Sequence, residues 1–110
     1  MKLPNAERAI VDERKVREYL LSKSHPIGRF KAAFLARAGF DASNWVDLSD
    51  ALLDLARSGE AILGETNEYG QKYVISGILE GPSGSLLQVT TVWILPTPDA
   101  LPRLVTVFPR

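Results

Sequence analysis

The sequence contains no cysteine, which excludes disulfides, thiolate metal ligands and thiol nucleophiles. It contains one histidine, His25, so a metal site built from several imidazoles is excluded as well. No stretch approaches the roughly 20 consecutive apolar residues of a membrane-spanning helix. The opening Met1-Lys2-Leu3-Pro4-Asn5 lacks the apolar run of a secretory signal. Internal repeats, low-complexity tracts and interdomain linkers are missing, as are Walker, Rossmann, nucleophile-elbow and zinc signatures. These absences point to a bacterial-type cytoplasmic protein with no metal, no cofactor and no membrane partner.

What is present suits one domain spanning residues 1–110. Of the 110 residues, 45% are hydrophobic and 24% charged, enough for one core of ordinary composition. The formal net charge is zero, yet residues 1–40 carry nine Lys/Arg against four Asp/Glu and residues 41–110 carry four against nine. A basic half can meet an anion such as RNA, and an acidic half a basic protein. The plainer account is that both are solvated helix faces.

Asp12 reads as an N-cap, with Val16, Tyr19 and Leu20 at helical spacing to about Ser22. Ser24-His25-Pro26 stops that helix. A second helix starts near Pro26 or Ile27, carries Phe30, Phe34 and Leu35, and stops at Gly39. A third runs from Ser43 to Ser58, with Trp45, Leu48, Leu52 and Leu55 on one face and Asp47, Asp50 and Asp54 in water. Beyond Gly59 the pattern turns to strands: Ala61–Leu63, Gln71–Glu80, Ser85–Leu95 and Arg103–Phe108. Their connections are short, so the expectation is an α+β fold: N-terminal helices packed on one face of a four-stranded antiparallel β-meander. If Pro82 and Ser83 centre the Gly81–Gly84 turn, Ile75 faces Thr90 and Tyr73 faces Val92. If Asp99 centres the next loop, Thr106 faces Val92. Tyr73, Thr90 and Thr106 then share one surface, and a slip of one residue would exchange the faces.

Five segments carry a resemblance: Leu3-Pro4-Asn5-Ala6-Glu7-Arg8-Ala9, His25-Pro26-Ile27-Gly28-Arg29-Phe30-Lys31-Ala32, Tyr69-Gly70-Gln71-Lys72-Tyr73-Val74, Val92-Trp93-Ile94 and Pro102-Arg103-Leu104-Val105-Thr106. Over nearly its whole length the chain resembles a bacterial family of uncharacterised domains of unknown function. In element order, with a basic segment early and a threonine near the end, it also looks like the barnase–EndoU–colicin–RelE class. That second resemblance implies a metal-independent endoribonuclease from a toxin–antitoxin or polymorphic toxin system.

Such chemistry needs a base, an acid and cations around the phosphate. His25 is the side chain suited to proton transfer near neutrality. Arg29, four residues on, can grip phosphate through two N–H groups. Thr106 completes the catalytic candidates, while Lys31, Tyr73 and Thr90 are candidates for binding RNA. On a helix, Lys31 diverges from Arg29 by roughly 200°, so His25 with Arg29 is the favoured pair. The bland readings stand beside these: His25 as a helix cap, Arg29 and Lys31 as a wet helix face, and Tyr73, Thr90 and Thr106 as strand residues. On those readings the chain is a non-catalytic module that docks a neighbouring-gene protein, as an antitoxin or immunity protein does. The oligomeric state, monomer or homodimer, stays open.

Overall fold

The computed structural model describes residues 1–110. After a 3₁₀ turn at Ala6–Arg8 comes α1 (Glu13–Lys15), which runs on as a π-helical segment, Val16–Leu20. The Asp12 carboxylate caps α1 by accepting from the Arg14 N–H at 2.8 Å, as its position before the apolar stripe predicts. In the π segment the Leu21 N–H reaches back to the Val16 carbonyl at 2.8 Å. Next come α2 (Gly28–Ala36) and α3 (Trp45–Ser58). Asp41 rather than Ser43 is the capping residue here, at the turn that leads into α3. Its carboxylate accepts from the Ser43 and Asn44 amides at 2.8 and 3.3 Å, and the Asn44 side chain accepts from the Asp41 N–H at 2.8 Å. This reciprocal box draws Ala42–Asn44 into a 3₁₀ turn ahead of the helix.

The strands are β1 (Ala61–Asn67), β2 (Gly70–Glu80), β3 (Leu86–Leu95) and β4 (Arg103–Pro109), ordered β1-β2-β3-β4 with every pair antiparallel. The α+β meander expected from the sequence is therefore the fold. β1 is longer than expected, because it continues past an irregularity between Leu63 and Thr66 into a tight turn at Glu68-Tyr69.

The β2–β3 register differs by one residue from the expected one. The loop is Gly81–Ser85, closed by Glu80 opposite Leu86 and centred on Ser83. The Ser83 N–H is bound to the Ala38 carbonyl at 3.0 Å. Tyr73 accordingly pairs with Trp93 and Ile75 with Thr91. Tyr73, Ile75, Leu79, Val89, Thr91, Trp93 and Val107 are buried beneath the helices with Leu20, Leu35, Leu48 and Leu52. Thr90 and Thr106 do share a surface, since Thr106 pairs with Val92 and Thr90 with Phe108, but Tyr73 lies on the opposite face. Side chains alternate along a strand, so Val74, Ser76, Ile78, Thr90, Val92, Thr106 and Phe108 form the face that no helix covers. No helix is long and apolar enough to cross a membrane.

At Gly28 a Cβ would lie 1.9 Å from the Tyr19 carbonyl oxygen, so α2 can approach the π segment only through a bare glycine. Gly28→Ala should lower the unfolding free energy by about 3 kcal/mol, read as an earlier urea midpoint. Asp41 titrates below the usual carboxylate range, chiefly through the Ser43 hydroxyl and amide. A carboxylate depressed in the folded state stabilises above its unfolded pKa, and the gain is lost as pH falls through the folded value. Asp41→Asn should therefore be less stable than the parent at neutral pH, with the gap closing below about pH 4 in thermal melts.

Candidate active site on the bulged edge of β4

β4 is an edge strand, and it bulges. Val92 pairs with Thr106 but Trp93 pairs with Leu104, which leaves Val105 as an extra residue. Edge carbonyls flank the bulge, and lysines take them. Lys15 Nζ donates to the Val105 carbonyl at 2.9 Å, and Lys31 Nζ to the Val107 carbonyl at 2.7 Å. Lys31 also donates to Thr106 Oγ1 at 2.9 Å. Its ammonium stands 5.9 Å from the centre of the Tyr19 ring and 5.6 Å from that of Phe108.

Neither lysine has a carboxylate partner. The ion pairs of the molecule are Met1–Glu60, Arg14–Glu18, Arg17–Glu13 and Lys72–Glu65. Lys15 and Lys31 are both half-buried, so a concentrated, uncompensated positive charge lies along the bulge. Such a site attracts an anion.

His25 joins this group through Tyr19, the ring centres lying 4.9 Å apart in an edge-to-face contact. Its Nδ1 accepts from the Ile27 and Gly28 N–H groups at 3.0 and 2.9 Å. The imidazole is thus the N-terminal cap of α2. With Nδ1 accepting, the neutral ring carries its proton on Nε2 and offers a donor there.

Of the residues singled out in the sequence, the structure brings Lys31 and Thr106 into direct contact and adds His25 behind Tyr19. Arg29 stands apart: it is exposed and lies over Phe30, its guanidinium carbon 4.8 Å from the ring centre. The expected His25–Arg29 pairing required both on one helix. The cap starts α2 only at Gly28, so His25 remains outside the helix, and Lys31 is the residue that faces β4. Thr90 lies one row away on the open face, bonded to Ser76 through the two hydroxyls at 3.1 Å. Tyr73, on the helix side, lines a separate cleft of about 620 Å³ between the β1–β2 turn and the loop of Pro96 and Pro98. Lys15 and Tyr19 escaped sequence reasoning. Their four-residue spacing places them on one helix face, but only the tertiary fold carries that face to β4. No three His, Asp or Glu side chains converge to offer a metal ligand set.

A family model described as a domain of unknown function (DUF6883) matches residues 2–110. No curated protein matches the chain. Among solved structures, one similar chain comes from the contact-dependent growth inhibition toxin–immunity protein complex of Klebsiella pneumoniae 342. It aligns with a TM-score of 0.71 at 21% identity, covering 93% of this chain and 100% of that one. At that identity the likeness is one of fold.

His25→Ala removes the cap of α2 and should cost about 1 kcal/mol. His25→Asn, whose amide oxygen can accept the same N–H groups, should recover most of that loss in equilibrium denaturation.

Proposed function

The chain belongs to the family described as a domain of unknown function (DUF6883), and from that footing we propose that it is a metal-independent ribonuclease domain of the bacterial toxin type. The observation that supports this is the pairing of Lys31 with Thr106 beside Lys15, charge with no carboxylate to balance it.

An ammonium has three N–H donors. Lys31 uses two, on Thr106 and Val107, and Lys15 uses one, on Val105. Both retain donors for a phosphate oxygen. Thr106 accepts from Lys31, which leaves its own O–H free to donate. As the ribose 2′-oxygen bonds phosphorus its proton passes to a solvent water, the P–O5′ bond breaks to leave a 2′,3′-cyclic phosphate, and the departing 5′-oxygen takes a proton from solvent; the charge that builds on the equatorial oxygens is what these fixed donors stabilise more than the ground state. His25 stands behind Tyr19 at the margin of the group, where its Nε2–H adds a donor and its Nδ1 holds the start of the helix that carries Lys31. Arg29, exposed on the same helix, acts as an outer contact for the RNA backbone.

A second reading, a non-catalytic module that docks a basic protein partner, draws on the carboxylates of Asp47, Asp50 and Asp54, which line a surface hollow with Glu80. The two readings part on one assay. Purified protein should degrade RNA in the presence of EDTA, and Lys31→Ala and Thr106→Val should each slow cleavage about 100-fold while melting as folded proteins. Intact RNA after prolonged incubation with the unaltered protein would remove the ribonuclease reading.

A further inference from the structure

The open face of the sheet continues from the β4 cluster and has its own chemistry. Thr106 and Phe108 are two residues apart on β4, so their side chains leave the same face. Phe108 pairs across the ladder with Thr90, and Thr90 with Ser76, so Ser76, Thr90 and Phe108 form one row. The hydroxyls of that row are bonded to each other at 3.1 Å. The Phe108 ring is 39% exposed, and no aromatic ring is paired with it. The Lys31 ammonium lies 5.6 Å from its centre. A part-exposed aromatic ring beside an ammonium is the kind of surface on which a nucleic-acid base stacks.

We infer that the row Ser76–Thr90–Phe108 is a subsite for one unpaired RNA base, stacked on Phe108 and hydrogen-bonded at its edge by the Thr90 and Ser76 hydroxyls. The inference rests on the ribonuclease reading and names its substrate class: single-stranded RNA or the unpaired part of a folded one. The reasons are spatial. Lys31 touches Thr106 and also stands over Phe108, so a phosphate held by the ammonium carries its own base within one nucleotide's span of the ring. A base inside a duplex has both faces stacked and its pairing edge occupied, so it is not free to stack on the ring and meet the two hydroxyls. Charge favours RNA over protein as the occupant. The face is apolar at Ile62, Val74, Ile78, Leu86, Val92 and Ile94, but the row that holds Phe108 is flanked by Lys31, which has no acidic partner.

The test uses a short single-stranded 2′-O-methyl RNA, which lacks the attacking hydroxyl and cannot be cut by this route, with binding followed by fluorescence anisotropy. The full chain should bind it, and the same strand annealed to its complement should bind far more weakly. Phe108→Leu keeps an apolar side chain in place and should weaken single-strand binding about tenfold. Phe108→Tyr keeps the ring and should bind as the parent does. Matching melting curves show that each variant is folded. Equal binding by parent and Phe108→Leu, with RNA still cleaved, overturns the subsite and leaves the ribonuclease reading standing. Equal affinity for duplex and single strand overturns it too. Neither binding nor cleavage by the parent removes both together. Loss of a co-purifying protein from Phe108→Leu, with oligonucleotide binding unchanged, would reassign the face to a protein partner.

Discussion

A buried hydroxyl holds the sheet in register. Thr91 is fully buried, donates to the Ile75 carbonyl at 2.8 Å and accepts from the Trp93 indole N–H at 2.9 Å. A slip of one residue would carry Thr91 and Trp93 to the open face and drive Thr90 and Val92 inward. Leaving the indole donor unsatisfied costs about 1–3 kcal/mol, and the largest fully buried side chain would lose its place in the core. The arrangement on the opposite face follows. Thr106, Thr90, Ser76 and Phe108 look outward because Thr91 and Trp93 are fastened inward.

The helices, the strands and their order were legible in the sequence because each rests on local pattern. Val16 and Leu20, or Leu48 and Leu52, announce a helix face by spacing alone. The register was not legible. β2 and β3 are apolar on both faces, so alternation does not say which side is buried. Moving the turn centre from between Pro82 and Ser83 onto Ser83 itself shifts every partner. Thr91 ran against the usual expectation too, since a polar residue took a core position and Val92 an open one. For the candidate site, His25 and Thr106 could be singled out by chemistry and the cap role of His25 by its neighbouring proline. Helical spacing favours Arg29 over Lys31 only if His25 lies within α2, and α2 begins at Gly28. The partnership of Lys15 with Val105 exists only through a bulge that no local signal marks.

The junction between the first two helices makes one mechanical unit of the cluster. Tyr19 sits in the π-helical segment, its carbonyl against Gly28 and its ring against His25. His25 in turn holds the first amides of α2, the helix that delivers Lys31. The insertion of one residue that a π turn represents is a common device for re-aiming a side chain, and here the re-aimed side chain is the spacer between imidazole and ammonium. The chemistry proposed for this edge therefore depends on backbone geometry some distance from β4.

The two margins of the sheet are unequal. β4 has several of its outward groups occupied: Ile10 bridges Arg103, and the lysines hold the Val105 and Val107 carbonyls. β1 keeps a bare margin beyond Ala61, where the Met1 carbonyl binds, and shows Ile62 and Leu63 to solvent. A sheet with one sealed margin cannot be extended from both sides. The lysines that take the β4 carbonyls thus also guard that edge against pairing with a further strand.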